Sequence, residues 1–174
     1  MRLAEFTDYS LRVLMYCAQH PEQLVTIGEL AEHHRLSKNH LMKVVNDLAR
    51  QGVLHTTRGR GGGLRLGKDP ADIRVGDVVR AAESDFRLVE CFDASTDRCT
   101  LTPSCRLKHV FDAALRAYFA QLDATTLADI AGPAGDAAGV RVLRRHPNGA
   151  APVSRPRHGG GARRPRAAAA RGER

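Results

Sequence analysis

Three cysteines in one short polar stretch, Cys91, Cys99 and Cys105, are the residues of this sequence best suited to chemistry. Seven residues separate the first two cysteines and five separate the next two, and the Asp, Ser, Thr and Pro residues between them predict a loop. Three thiols without a matching fourth do not make a symmetrical disulfide framework. The pattern instead favours a metal or iron–sulfur site that takes its last ligand from elsewhere.

Other uses of the same cysteines remain open from the residues alone. A metal-free thiol redox switch would use all three side chains. A zinc site favours four firm ligands, usually in closely spaced cysteine pairs, which this stretch does not contain. A small electron carrier would need a cluster but none of the DNA-binding elements described below. No pairing of a nucleophile with a general base stands out, so we do not expect an enzyme.

Length and composition indicate a small cytosolic protein. Its 174 residues suit one domain with additional segments. We find neither a signal peptide nor an apolar run of about 18 residues, so we expect no membrane segment. In the cytosol thiols stay reduced and are free to bind metal.

A first helix is predicted within residues 1–20, where it would begin the DNA-binding part of the chain. Thr7 is the candidate N-cap, with Asp8 in the first turn, and Pro21 ends the helix. We interpret Cys17 on this helix as a small buried apolar residue, because a lone helical cysteine usually is one.

Two further helices joined by a tight turn are predicted next. Thr26 and Glu29 form a capping box that opens the second helix, and Ser37 is expected to cap a third helix that ends at Gly52. The third helix carries a regular apolar stripe, formed by Leu41, Val44, Val45 and Leu48. Because its start is polar and basic, the pair favours a helix-turn-helix over a plain helical hairpin.

A glycine-rich hairpin follows the third helix. Residues 53–57 and 64–66 are predicted as strands and residues 58–63 as the turn between them. Arg58 and Arg60 lie among the turn glycines, where slim backbone suits the DNA minor groove. The turn does not open a helix and lacks the Lys-Ser/Thr ending of a nucleotide-binding loop. The hairpin therefore predicts the wing of a winged helix-turn-helix.

Two more helices flank the cysteines. Residues 71–86 predict a fourth helix, and residues 104–122 predict a long fifth helix, with Pro103 suited to its first turn. Apolar residues recur by threes and fours along the fifth helix: Leu107, Val110, Phe111, Ala114, Leu115, Tyr118, Phe119 and Leu122. A stripe this wide needs a partner, so we predict that two copies pair along it. Packing on its own domain is the alternative.

The predicted fold is mainly α, with a winged helix-turn-helix DNA-binding domain, a long dimerisation helix and a disordered C-terminal tail. We assign residues 1–86 to the winged domain, 87–103 to the cysteine loop, 104–131 to the dimerisation helix and 132–174 to the tail. The net charge of the chain is +8, and the tail holds ten arginines against two acidic residues. The tail is expected to attract nucleic acid non-specifically. The alternative is that it is a solvated segment with no function of its own.

Five segments together resemble a family of bacterial regulators, the winged-helix cluster-binding repressors, and within it the nitric-oxide-sensitive repressors of the NsrR type. The resemblance is carried by residues 6–12, 37–45, 58–66, 73–79 and 91–107. It covers roughly residues 1–130 in order, and the joint pattern is specific where the cysteine spacing alone is not. The arginine-rich tail departs from the family pattern.

The resemblance implies a homodimer that binds double-stranded DNA at a near-palindromic operator and carries an iron–sulfur cluster in each subunit. A [4Fe–4S] cluster is favoured, with [2Fe–2S] as the alternative. Nitric oxide would attack the cluster, and DNA release would allow genes for nitric-oxide detoxification to be expressed. Cluster supply or an oxidant is the alternative signal.

Residue roles also follow from the resemblance. Cys91, Cys99 and Cys105 would be the cluster ligands. The residues expected to face DNA are Lys38, Asn39, His40 and Lys43 in the major groove, with Ser37 at the start of their helix, and Arg58, Gly59 and Arg60 in the minor groove.

The remaining cluster ligand is interpreted from the chemistry of the candidates, which are Asp8, Glu90, Asp93, Asp97 and His109. An oxygen or nitrogen ligand is easier to displace than a thiolate, which suits a site that reacts with a small neutral molecule. We favour Asp8 from the other subunit, because that contact would let the cluster state set the geometry of the dimer. The alternative is that Asp8 serves only in the first turn of its helix.

Overall fold

The computed structural model describes residues 2–132, and it confirms the predicted mainly α fold with a winged helix-turn-helix. The described elements are α1 (Glu5–Gln19), α2 (Ile27–His34), α3 (Lys38–Arg50), β1 (Leu54–Thr57), β2 (Gly63–Leu66), α4 (Val75–Ala82), α5 (Arg106–Asp123) and α6 (Leu127–Ile130). Short 3-10 turns lie at Pro70–Asp72, Glu90–Phe92 and Thr102–Ser104. Apart from residue 132, the predicted tail lies outside the described residues.

The start of α1 differs from the prediction. Thr7 is not the N-cap: the helix begins at Glu5 after Ala4, and Thr7 is fully buried. The carboxylate of Glu83, at the end of α4, accepts 2.7 Å hydrogen bonds from the Ala4 backbone N–H and the Thr7 hydroxyl. A distant side chain thus satisfies the helix end that a local cap would otherwise satisfy. The helix does end before Pro21, as predicted.

The helix-turn-helix forms as predicted, with one difference at its turn. Both hydrogen bonds of the Thr26–Glu29 capping box are present. Arg35 takes the left-handed conformation (φ 55°) that reverses the chain between α2 and α3. Ser37 occupies the N-cap position of α3, but its side chain makes no capping hydrogen bond.

The wing is an antiparallel hairpin in which Leu54 pairs with Leu66 and Thr57 with Gly63. Val25 adds a short bridge to Leu64 on the other side of β2, so the hairpin is tied to the segment before α2. At the tip Gly59 has φ 101°, a backbone conformation that residues other than glycine rarely adopt.

The core lies between α1, α2, α3, the wing and α6. Its fully or nearly fully buried side chains include Val13, Leu14, Val25, Leu30, Leu41, Val44, Leu48, Leu54, Leu64 and Leu127. Cys17 belongs to this core, as predicted, and burial raises its thiol pKa to about 12. A thiol in that environment stays protonated and unreactive. Within residues 2–132 no helix combines the length and hydropathy needed to cross a membrane.

The fourth and fifth helices begin later than predicted. The predicted helix 71–86 is interrupted, because Asp69 caps a 3-10 turn through a 2.8 Å bond to the Ala71 N–H and Ile73 is extended. Only Val75–Ala82 is α-helical. Pro103 lies in a 3-10 turn and not in the fifth helix, since extended backbone at Cys105 delays α5 until Arg106.

Candidate functional site

The exposed faces of α3 carry the side chains expected to meet DNA. The helix buries its apolar stripe, and Ser37, Lys38, Asn39, His40 and Lys43 are all exposed. The His40 ring stacks near Tyr9 of α1, with 6.4 Å between ring centroids. The polar start of α3 therefore faces solvent, while the buried apolar residues on the other face of the helix hold it against the core.

A groove between α3 and the wing brings two of the predicted DNA contacts together. Its lining residues are Lys43, Asn46, Ala49, Arg50, Thr56 and Arg58. Of its cations, Arg50 has a carboxylate partner at 2.7 Å, Asp47 on its own helix. Gly59 and Arg60 lie beyond the groove at the exposed wing tip. Among residues 2–132 no carboxylate lines this groove, so it suits a polyanion such as the DNA backbone.

The cysteine loop presents three reduced thiols between α4 and α5. Cys91 is 7% exposed in the 3-10 turn Glu90–Phe92, and Cys99 and Cys105 are half-buried. Cys105 is also the N-cap residue of α5, where the helix dipole favours a neighbouring anion. Within residues 2–132 no three His, Cys, Asp or Glu side chains are close enough together to hold a metal ion.

Polar contacts of its own side chains hold the loop in shape. The Asp93 carboxylate accepts hydrogen bonds from the Ser95 hydroxyl and backbone N–H and from Arg87, and these hold the pKa of Asp93 below its usual value. Asp97 accepts 3.0 Å bonds from the Cys99 N–H and from the Thr102 hydroxyl. Two of the candidate fourth ligands are therefore already engaged in loop structure.

The favoured fourth ligand, Asp8, lies on α1 outside the loop. It forms a 2.7 Å ion pair with Arg12 one turn later, and both side chains are close to half exposed. Glu90 and His109 are exposed, on the loop and on α5 respectively. An exposed ion pair of this kind contributes little stability, so little free energy opposes a different partner for Asp8.

The donor set fits an iron–sulfur cluster in kind. All three loop cysteines are free thiols within 15 residues, and thiolates are the usual ligands of such clusters. Cys17 is excluded because it is buried in the core of the winged domain. The loop residues offer three sulfur donors, and no fourth donor is grouped with them among residues 2–132.

The long helix α5 has no buried residue in the isolated subunit. The predicted stripe divides in two. Phe119 packs against Phe86, with 4.8 Å between ring centroids, whereas Leu107 and Val110 are 56% and 61% exposed. Leu101 of the cysteine loop is also exposed. Large apolar side chains grouped on one helix face are typical of a protein contact surface.

Two long-range contacts of α4 and the residue after it were missed by the sequence patterns. Glu83 holds the start of α1, 76 residues away from Thr7 in the chain. Arg80 and Asp123 form an ion pair across 43 residues. Periodicity and capping signals act over one or two turns, so no local pattern could have indicated either pair.

Comparison with protein families finds one model that matches most of the chain. Residues 3–133 match the Rrf2 family, described as iron-dependent transcriptional regulators. The chain is 53% identical over 131 residues to the HTH-type transcriptional regulator NsrR of Bacillus subtilis strain 168, covering 75% of this chain and 90% of that protein. It is 50% identical to NsrR of Bacillus licheniformis, covering 75% of this chain and 92% of that protein.

Solved structures share the fold. T. potens IscR superimposes with a TM-score of 0.60 and 26% identity, covering 75% of this chain and 85% of that chain. CymR, the global cysteine regulator of B. subtilis, superimposes with a TM-score of 0.57 and 25% identity, covering 75% of this chain and 96% of that chain.

Proposed function

Because the chain belongs to the Rrf2 family of iron-dependent transcriptional regulators, we propose that it holds an iron–sulfur cluster and releases operator DNA when nitric oxide reacts with that cluster. The coarser function follows from the family and the relatives: the chain is a DNA-binding transcriptional repressor and not an enzyme. The observation that carries the finer proposal is the loop of three free cysteines on a chain 53% identical to an NsrR protein.

DNA binding is proposed to use the exposed side of α3 and the wing. The start of α3 would enter the major groove, and the slim wing tip with Arg58 and Arg60 would enter the minor groove. The carboxylate-free groove between them supports this arrangement, because a phosphate backbone passing through it would meet Lys43 and Arg58.

Substitution of Lys43 or Arg60 by alanine should weaken operator binding and leave any cluster intact. Each change removes an exposed cation far along the chain from the cysteines, and a base-edge contact is worth about 1–3 kcal/mol. Operator affinity is measured by mobility shift at fixed salt. Arg74→Ala is the matched control, since Arg74 is exposed at the start of α4 and does not line the groove. Equal affinities for all three variants and the wild type would contradict the proposed interface.

The cluster ligands are proposed to be Cys91, Cys99 and Cys105, with Asp8 from the other subunit completing the set. A bound cluster supplies a reactive iron–sulfur centre, with [4Fe–4S] favoured over [2Fe–2S]. To bind there, Asp8 would leave its exposed ion pair with Arg12. Because an oxygen ligand is easier to displace than a thiolate, the iron that it binds would be more accessible to a small neutral molecule. Cluster supply or an oxidant is the alternative signal for the same arrangement.

The assembly is proposed to be a homodimer in the bacterial cytoplasm, acting on nucleoid DNA. Leu107 and Val110 on α5 would pack against the same residues of a second copy, because a two-fold interface repeats one surface patch. Two winged domains in a fixed relation then match a near-palindromic operator with half-sites one helical turn, or a multiple of it, apart.

The experiment that tests this function is absorbance, iron and sulfide analysis of full-length protein purified without oxygen, followed by an operator mobility shift. We expect a coloured protein with broad visible bands, iron and sulfide, which shifts operator DNA. A colourless protein that contains zinc or no metal, yet still binds the operator, would refute the cluster. It would favour a zinc site or a thiol switch instead.

A further inference from the structure

The dimerisation helix α5 is attached to its own domain at one end. At its C-terminal end, Thr125 accepts a 3.0 Å backbone hydrogen bond from Val75, and Leu127 donates one of 2.8 Å to Ile73. At its N-terminal end, Leu107 and Val110 are exposed and the helix continues directly from Cys105. The 18 residues of α5 span about 27 Å between these ends.

Four residues form the contact at the attached end, and we call Gly76, Arg80, Phe119 and Asp123 the α4–α5 clamp. The Arg80 guanidinium donates two 2.6 Å hydrogen bonds to the two oxygens of Asp123, and it lies 4.4 Å from the centre of the Phe119 ring. A Cβ at Gly76 would come within 1.9 Å of the Asp123 Oδ1, so a larger residue there would force the Asp123 carboxylate to move.

A carboxylate at the position of Asp123 would be unfavourable without a cationic partner. Asp123 is the last residue of α5, where the helix dipole disfavours a carboxylate. The paired Arg80 compensates for this and holds the pKa of Asp123 below its usual value. The two parallel hydrogen bonds orient the two planar groups, and, unlike the similarly exposed Asp8–Arg12 pair within α1, they join two different helices.

Resting on the proposed function, we propose that the α4–α5 clamp transmits the cluster state to the DNA-binding domain. Arg80 and Asp123 are positioning residues that fix the angle between α5 and α4. A change in the cysteine loop moves the N-terminal end of α5, and the clamped end passes that motion to α4. Since α4 packs against α1, the winged domain changes its orientation relative to the dimer axis.

Motion can pass from the cysteine loop to α5 directly, because the loop leads into the helix without a break. Cys105 is the N-cap of α5, so a cluster held by its sulfur would fix the start of the helix, and loss of that cluster would release it. Over a lever of about 27 Å, a rotation of roughly 5° displaces one end by about 2 Å relative to the other. Such a displacement in each subunit changes the spacing of the two recognition helices, to which a two-site operator is sensitive.

The test uses Arg80→Gln and Asp123→Asn in the full-length holo protein. For each protein, operator affinity is measured before and after nitric-oxide treatment, and the ratio of the two dissociation constants is compared with that of the wild type. We expect both variants to keep the visible cluster bands. The ratio of their two dissociation constants should be about tenfold smaller than that of the wild type. The double variant should lose no more than either single variant, because both remove the same interaction.

Arg116→Gln and Asp112→Asn are the matched controls. These residues form an exposed ion pair on the same helix α5, one turn apart, and the pair involves no residue of α4. Their ratios should equal that of the wild type. Wild-type ratios in Arg80→Gln and Asp123→Asn, or loss of the cluster bands in them, would overturn the clamp alone. If the operator affinity of the wild-type protein did not change with nitric oxide, the proposed function itself would be overturned.

Discussion

Replacement of Cys91, Cys99 or Cys105 by alanine is expected to abolish the cluster absorbance and to reduce specific operator binding at least about a thousandfold, to the level of non-specific binding. Each change removes a thiolate from a set that has only three. The proposed cluster would tie the exit of α4 to the start of α5, so in its absence we expect the two winged domains to lose their common register. The measurements are visible absorbance and operator affinity of proteins purified without oxygen.

Cys17→Ala is the control for these variants. Cys17 lies in the core of the winged domain, and its raised pKa keeps the thiol protonated. The substitution removes one buried sulfur and should cost about 1 kcal/mol of stability, typical of a point mutation, with no change in absorbance or affinity. A Cys17 variant without the cluster, or loop variants that keep it, would contradict the ligand assignment.

The second large effect is expected from Val110→Asp on α5. Val110 is 61% exposed in the subunit, so the charge does not disturb its fold. In the proposed dimer the same charge would be buried and repeated across the two-fold axis, where an unpaired charge is costly. We expect a folded monomer by light scattering. Because simultaneous binding of two half-sites raises avidity, operator affinity should fall about 10²–10⁴-fold.

Arg116→Asp provides the control for Val110→Asp. It introduces the same carboxylate on the same helix, about 120° around the axis from Val110. Arg116 is exposed, and its partner Asp112 belongs to the same helix. This variant should remain a dimer. If Val110→Asp also remained a dimer of unchanged operator affinity, the contact surface of α5 would lie elsewhere.

Local sequence patterns predicted the winged domain well because they report interactions within one or two turns. The Thr26–Glu29 box, the stripe of α3 and the glycine turn of the wing each act between neighbours in the chain. The burial of Cys17 followed from its position on an amphipathic helix. These features require no knowledge of the tertiary structure.

Long-range contacts account for the errors. The true start of α1 depends on Glu83, and α4 is shortened to Val75 because the preceding segment bonds to Thr125 and Leu127. The candidate site has the same difficulty. Sequence spacing identifies Cys91, Cys99 and Cys105 as related, but it does not give the distances between their side chains, and within residues 2–132 no three His, Cys, Asp or Glu side chains lie close enough together to hold a metal ion.

The most direct measurement follows cluster absorbance and operator affinity together through a nitric-oxide titration of the full-length holo protein, with far-ultraviolet circular dichroism recorded in parallel. We expect the affinity to fall in step with the visible bands while the helical signal stays constant, because the winged domains remain folded and lose only their register. An operator affinity that stays constant while the cluster bands vanish would contradict the cluster as the switch.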